Sequence, residues 1–221
     1  MDYPEEDGVT TERRIVVDPA EATSADLAPA AAWLMSGRVV AYPTDTLYGL
    51  AVNVRDAAAV RRLFSLKGRV AAAALPLIGA SAHQVVTDTG ALSAREMLLV
   101  QRFWPGPLSL VRDAPSWMPA EVHGGRRTVA VRVPNHVVAR ALAEAVGGLI
   151  AATSANRSGA PPATSARDLD ALAADPDVFV VDAGPVTGGA PSTLVDVRGA
   201  TPICLREGAV AWSRVVESLH A

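Results

Sequence analysis

The feature that most constrains the fold of this chain is a regular alternation between short apolar runs and longer segments with helical spacing. In residues 24–36, Leu27, Ala31 and Leu34 share one helical face, and Gly37 follows as a terminator. The next run, residues 39–42, is short, apolar and bounded by Pro43, which is typical of a strand. Strands that alternate with helices of this length predict an α/β fold with a twisted, mixed or parallel sheet flanked by helices.

The same alternation continues to the end of the chain. Helical spacing recurs over residues 56–66, 93–102, 136–146, 165–174 and 209–219, and the second of these begins with a Ser93/Glu96 capping box. Strand-like runs lie between them over residues 75–78, 108–112, 128–133, 149–153, 178–181, 193–197 and 203–206. No repeat or long linker interrupts this order, so we expect a flexible N-terminal segment over residues 1–21 and one domain over residues 22–221.

The charge balance and the cysteine count restrict the classes of partner. The 221-residue chain has a formal net charge of -3, whereas a protein that coats nucleic acid by phosphate neutralisation carries a basic excess. The single cysteine, Cys204, excludes an intrachain disulfide framework and is typical of a reducing cytoplasm. The four histidines lack metal-ligand spacing, and no apolar run reaches the roughly 18 residues of a membrane span. We therefore expect a cytoplasmic protein with no metal site of its own and no membrane contact.

The only lysine of the chain, Lys67, stands in the motif LKGR. Lys67 and Arg69 lie at the C-terminal end of a predicted helix, where the helix dipole favours an exposed cation by about 0.3–1 kcal/mol. That effect is a sufficient structural explanation for both residues. A functional explanation requires a second anion-binding element close in space, and both explanations remain open at this point.

The motif TVAVRVP, at residues 128–134, alternates strictly between apolar and other side chains. The alternation places its three valines on one face of a strand and Thr128, Ala130 and Arg132 on the other face. An arginine among small residues leaves room for the planar guanidinium to bind a carboxylate or a phosphate. A solvent-facing arginine on the sheet surface is the alternative.

The motif PTDTLYGL, at residues 43–50, follows an apolar strand, and open α/β sheets bind ligands at such positions. Thr44 and Thr46 point to the same side if the segment is extended. A polar turn with Asp45 as a local cap is the alternative interpretation.

Two further polar clusters also follow apolar strands. In AATSANRSG, at residues 151–159, the small side chains of Ser154 and Asn156 stand before a glycine, and such a loop can cradle phosphate oxygens. Serine and asparagine also populate plain turns. Ser192 begins one late strand and Arg206 ends the next, which repeats the pairing of hydroxyl and guanidinium at strand ends.

Taken in order, these motifs resemble those of the YrdC family, the threonylcarbamoyl-AMP synthases. The motifs YPTDTLYGLA, LKGR, WPGPLSLV, TVAVRVP, ATSANRSG, PSTLVDV and LREG follow the family's order over about residues 22–211. The resemblance implies a YrdC-like sheet with helices around a concave, positively lined cavity. It also implies an enzyme that condenses L-threonine, bicarbonate and ATP, with Mg²⁺ accompanying ATP, to threonylcarbamoyl-AMP and pyrophosphate. The product then supplies a transferase complex that modifies tRNA.

The resemblance further implies roles for individual residues. The positions that match Lys67 and Arg69 face the nucleotide phosphates, and we expect these two cations to stabilise the reacting phosphoryl group. The other residues expected near the nucleotide are Thr128, Ser154, Asn156 and Arg206. The residues expected near L-threonine are Thr44, Arg132 and Ser192, with Arg132 opposite the substrate carboxylate.

Two other functions are alternatives to the synthase. A YrdC-like module that binds RNA or a nucleotide without synthase activity would use the same cavity, although the negative net charge predicts only weak contact with tRNA. The carbamoyl-transfer domain of a hydrogenase maturation protein comes with acylphosphatase and zinc-finger domains, which we do not expect in 221 residues with one cysteine. The sequence therefore favours the synthase.

Overall fold

A mixed sheet of ten strands organises residues 13–68 and 74–220, the part of the chain that this computed structural model describes. The strands are β1 (Arg14–Val16), β2 (Val39–Pro43), β3 (Tyr48–Asn53), β4 (Leu77–Ile78), β5 (Leu108–Asp113), β6 (Thr128–Arg132), β7 (Ile150–Ser154), β8 (Val178–Asp182), β9 (Thr193–Asp196) and β10 (Ile203–Arg206). Their order across the sheet is β1-β8-β2-β3-β7-β4-β6-β5-β9-β10, with both parallel and antiparallel pairs. The predicted α/β class with a mixed sheet is confirmed.

Helices lie between most of the strands. They are α1 (Ala28–Met35), α2 (Ala57–Lys67), α3 (Ala82–Thr89), α4 (Ala94–Phe103), α5 (Ala120–His123), α6 (Val137–Val146), α7 (Asp170–Ala173) and α8 (Trp212–His220), with a 3₁₀ turn at Ala166–Leu169. The predicted capping box at the start of α4 is confirmed. Gly68 follows α2 and has a φ of 62°, the left-handed conformation that terminates a helix. No helix in the two described ranges is long and apolar enough to cross a membrane.

The two faces of the sheet are covered differently. On the first face, α2 and α5 pack against the centre of the sheet, and α4 and α8 pack against β5 and β9. On the second face, α1 and α6 cover the end of the sheet that includes β2 and β8. No helix from the described residues covers the remainder of the second face, which forms the floor of a cavity.

Four elements have no counterpart in the sequence-based expectation, namely β1, β3, α3 and α5. Strand β3 pairs with β2 on one side and β7 on the other, and five of its six residues are buried, so it lacks a polar-apolar alternation. Strand β1 lies within the segment expected to be flexible and pairs in parallel with β8. The division of the chain at residue 22 stays a prediction.

A buried ion pair joins β5 to α4. The guanidinium of Arg112 donates to Glu96 at 2.8 Å, and both side chains are almost fully buried. The same guanidinium donates to the backbone carbonyls of Thr89, Gly90 and Ala91. Arg112 therefore provides donors for a buried carboxylate and for the segment that connects α3 to α4.

We predict that Arg112→Ala lowers the free energy of unfolding by about 3–5 kcal/mol, because it leaves the Glu96 carboxylate buried without a partner. Urea unfolding followed by circular dichroism measures this change. As a control, Arg61→Ala removes the exposed pair with Glu121 and should cost less than about 1 kcal/mol. Equal losses in the two variants would contradict the prediction.

Candidate active site

A cavity of about 900 Å³ occupies the uncovered part of the second sheet face. Alternate residues of neighbouring strands line it, because every second side chain of a strand points to the same face. The alternation in TVAVRVP is as predicted, since Thr128, Ala130 and Arg132 line the cavity and the three valines belong to the core of the first face, although Val129 also borders the cavity. Small residues make up much of the cavity floor, namely Gly49, Ser109, Ala130 and Ala152.

The structure brings most of the predicted site residues to this one cavity. Those that line it are Thr44, Thr128, Arg132, Ser154, Asn156, Ser192 and Arg206. Arg69 lies outside the described residues. Lys67 lies behind the wall that Ser154 and Asn156 form. The contacts of all nine residues with substrates stay predictions.

Lys67 is only 4% exposed, so the expectation of an exposed charge at a helix end is wrong. Its ammonium donates to the backbone carbonyls of Ser154 and Asn156 at 2.5 and 2.8 Å, and to Asn156 Oδ1 at 3.0 Å. In return, the carbonyl of Lys67 accepts from the backbone N–H of Ser158 at 2.9 Å. The cause is tertiary, because the end of α2 packs against the loop after β7 and buries the ammonium between the two.

The loop after β7 is also closed by its own side chains. Ser154 Oγ donates to Asn156 Oδ1 at 2.7 Å, and Asn156 Nδ2 donates to the carbonyl of Ala160 at 2.6 Å. The amide oxygen of Asn156 therefore accepts from both Lys67 and Ser154. These bonds hold two predicted nucleotide-binding residues in defined positions on the cavity wall.

Arg132 is held at the cavity by Asp45. Arg132 Nη1 lies 2.6 Å from Asp45 Oδ1, and the two side chains are 9% and 12% exposed. Asp45 Oδ2 also accepts from the backbone N–H of Asn135, so its contacts extend beyond the local cap that the turn interpretation assigned to it. Within the described part of the chain, the Nε and Nη2 atoms of Arg132 have no hydrogen-bond partner, and the residue lines the cavity. This edge of the guanidinium can donate hydrogen bonds to the carboxylate of a ligand in the cavity.

Thr44 has a local role beside its place in the cavity wall. Its hydroxyl donates to the carbonyl of Leu47 at 2.7 Å and accepts from the backbone N–H groups of Thr46 and Leu47 at 3.3 Å. The polar-turn interpretation is therefore confirmed for this residue. The turn fixes the segment that carries Asp45 next to Arg132.

On the wall opposite Ser154 and Asn156, two residues that we predicted to contact different substrates bind each other. Arg206 donates to the carbonyl of Ser192 at 2.8 Å and to its hydroxyl at 3.1 Å. The Ser192 hydroxyl also lies 2.9 Å from that of Ser109. Ser192, predicted near threonine, is thus in direct contact with Arg206, predicted near the nucleotide.

Sequence reasoning missed several residues of the cavity. Ser109 and Asp196 line it, and the strand alternation of β5 and β9 could have identified both. Arg198 binds Asp196, and this bond is the main reason that the pKa of the Asp196 carboxyl lies below its ordinary value. Sequence reasoning also missed Tyr42, which lines the cavity, and the contact of Asp45 with Arg132. No local pattern indicates the Asp45–Arg132 pair, because the two residues are 87 positions apart.

The chemistry of the cavity is that of a binding site for anionic small molecules. Guanidinium groups, hydroxyls and an amide line it. In the described ranges, no group of three or more His, Cys, Asp or Glu residues could hold a metal ion. The fold and the cavity together define an α/β protein with an arginine-lined, polar cavity on the face of a mixed sheet.

Comparison with known proteins identifies the family. Residues 32–208 match the family Sua5_yciO_yrdC, described as telomere recombination, and the chain belongs to this family. It is 39% identical to threonylcarbamoyl-AMP synthase of Pyrococcus abyssi over 186 residues, which cover 84% of this chain and 55% of that protein. It is 43% identical to threonylcarbamoyl-AMP synthase of Thiobacillus denitrificans over 166 residues, which cover 75% of this chain and 88% of that protein. The predicted resemblance to the YrdC family is confirmed.

The fold is also similar to a solved structure of the family. The structure of P. abyssi Sua5 complexed with L-threonine aligns with a TM-score of 0.83 and 35% identity, over 93% of this chain and 60% of that one. The chain spans little more than half the length of the P. abyssi synthase that it matches, with 55% of that protein covered.

We predict that Lys67→Met lowers the free energy of unfolding by about 1–3 kcal/mol, because the carbonyls of Ser154 and Asn156 lose a buried charged donor. Methionine retains most of the aliphatic stem, so the variant isolates the ammonium. Arg62→Met is the matched control on the same helix, since Arg62 forms an exposed pair with Asp177. If the two variants unfold at the same urea concentration, the Lys67 ammonium contributes no more than a surface cation.

Proposed function

We propose that this protein is a threonylcarbamoyl-AMP synthase, which condenses L-threonine, bicarbonate and ATP and so supplies a transferase complex that modifies tRNA. One observation carries the proposal. A single cavity presents the Nε–Nη2 edge of Arg132, which suits an amino-acid carboxylate. It also presents Ser154 and Asn156 on one wall and Arg206 on the opposite wall, and these side chains suit phosphate oxygens. The names of the relatives and the L-threonine in the Sua5 structure support it.

The proposed reaction has two steps. The amine of threonine adds to the carbon of bicarbonate, and loss of water leaves an N-carboxylate. An oxygen of this N-carboxylate then attacks the α-phosphorus of ATP, and the bond to the bridging oxygen of the β-phosphate breaks. Pyrophosphate leaves with its Mg²⁺. Negative charge grows on the leaving group, so fixed donors at the phosphate wall stabilise the transition state.

Each residue has a place in this scheme. Arg132 binds the threonine carboxylate, and Asp45 positions Arg132. Arg206, Ser154 and Asn156 bind the nucleotide phosphates, with the Lys67 ammonium directly behind them. The remaining proposed contacts are Arg69 and Thr128 with the nucleotide, and Thr44 and Ser192 with threonine.

In this scheme the protein acts mainly by positioning the substrates, and it transfers no proton itself. Two small substrates and a triphosphate are held at short range, and such positioning alone lowers a barrier substantially. The described residues offer no cluster of ligands for a divalent ion, so Mg²⁺ enters in this proposal on the phosphates of ATP. Lys67 and Arg69 contribute positive charge near the phosphates.

We predict that the purified protein releases pyrophosphate from ATP when Mg²⁺, bicarbonate and L-threonine are all present. A coupled phosphate assay measures the rate with each substrate omitted in turn. Release that does not depend on threonine, or no release, would overturn the synthase proposal. ATP binding without threonine-dependent release would favour the alternative, a nucleotide- or RNA-binding module.

Variants at the two walls should separate the two substrates. Arg132→Ala should raise the KM for threonine about 10- to 100-fold and leave the KM for ATP nearly unchanged, because only the carboxylate loses its charged partner. Arg206→Ala should raise the KM for ATP instead. Initial rates at varied concentrations of each substrate test this, and a threonine KM unaffected by Arg132→Ala would contradict the assignment.

A further inference from the structure

The Arg132 end of the cavity contains a buried polar group that has no partner among the described residues. Tyr42, in β2, is 0% exposed and lines the cavity. Its hydroxyl is buried and has no hydrogen-bond partner in the described part of the chain. Buried polar side-chain atoms are nearly always paired, because leaving one unpaired is costly. The Tyr42 hydroxyl is therefore a candidate for contact with a ligand.

The tyrosine ring lies beside Gly49, a residue of the cavity floor. Tyr42 pairs with Gly49, which pairs in turn with Ser154, so the three lie in one row on the second sheet face. A Cβ atom at Gly49 would lie 3.2 Å from Tyr42 Cε1, which is tighter than ordinary contact. The absence of a side chain at Gly49 lets the ring lie across β3.

The surroundings of the ring are apolar on one side and charged on the other. Tyr42 belongs to the same buried cluster as Ile78 and Ala152, and all three line the cavity. Burial raises the pKa of the Tyr42 hydroxyl well above its ordinary value, and the nearby Arg132 offsets only part of this effect. The phenol therefore stays protonated at neutral pH and can both donate and accept a hydrogen bond.

We propose that the Tyr42 hydroxyl binds the side-chain hydroxyl of the substrate amino acid, and that Ile78 and Ala152 contact its methyl group. This inference rests on the proposed function, in which the substrate is L-threonine. The carboxylate of threonine takes the open edge of Arg132, and the amine must stay free to react with bicarbonate. The side-chain hydroxyl is the polar group that remains, and a neutral hydroxyl partner with an apolar neighbour matches its chemistry. Tyr42 is then a specificity-determining residue that favours threonine over valine, its near-isostere without the hydroxyl.

The test compares Tyr42→Phe with the parent protein in the binding of L-threonine and L-valine. Isothermal titration calorimetry gives the dissociation constant for each amino acid. We expect the variant to bind threonine about 10- to 100-fold more weakly and to bind valine as the parent does or more tightly, because a site built for a hydroxyl excludes the analogue that lacks it. Equal weakening for both amino acids, or no weakening for threonine, would overturn the proposal.

Two controls complete the design. Thr46→Val removes another hydroxyl from the cavity, one that already lies 3.2 Å from the Thr44 hydroxyl, and should change the threonine-to-valine ratio less than about twofold. Urea unfolding of Tyr42→Phe should show a stability equal to or greater than that of the parent, since the lost hydroxyl is buried and has no partner in the described part of the chain.

The same experiment separates this inference from the proposed function. A parent protein that releases pyrophosphate with threonine, but whose selectivity does not depend on Tyr42, overturns the inference alone. A parent that binds threonine selectively through Tyr42 without releasing pyrophosphate overturns the synthase proposal alone. A parent that binds no threonine overturns both.

Discussion

The ammonium of Lys67 fixes the part of the cavity on which the proposed chemistry depends. It is buried where α2 ends, and it donates to the loop that leaves β7, so two elements far apart in sequence share one charged donor. Without that donor, two carbonyls in a partly buried loop would lose a strong partner. Gly68 stops the helix directly afterwards, which leaves the Lys67 carbonyl able to accept from Ser158. The positions of Ser154 and Asn156 on the cavity wall follow from these contacts.

The sequence was sufficient for features that depend on local periodicity. The α/β class follows from the alternation of strands and helices, and the strand alternation of TVAVRVP places Arg132 on the cavity face. Contacts between segments far apart in the sequence could not be predicted in the same way. Lys67 has a sufficient local explanation in the helix dipole, and nothing nearby in sequence predicts that a loop 87 residues later buries it. Strand β3 was missed for a related reason, because its buried residues show no alternation and its pairing partners lie elsewhere in the chain.

Burial differs between the Arg132 end of the cavity and the wall that carries Arg206, and the difference agrees with the proposed positions of the two substrates. Arg132 is 8% exposed and Tyr42 is fully buried, whereas Arg206 is exposed. A small amino acid fits the enclosed end, where a charged hydrogen bond is stronger because water is largely excluded. A triphosphate with its cation fits the open wall, where part of its charge remains solvated. The Asp45 carboxylate lowers the cost of keeping Arg132 in the enclosed end before the substrate arrives.

The central claim is that one sheet face holds an amino acid and a nucleotide together, with the carboxylate on Arg132 and the phosphates between Ser154 and Asn156 on one wall and Arg206 on the other. A crystal structure of the protein with L-threonine and a non-hydrolysable ATP analogue tests it most directly. The claim predicts the threonine carboxylate within hydrogen-bond distance of Arg132 and the phosphates beside Ser154 and Asn156. Phosphates bound to Arg132, or threonine bound at Arg206 with Arg132 unoccupied, would contradict it.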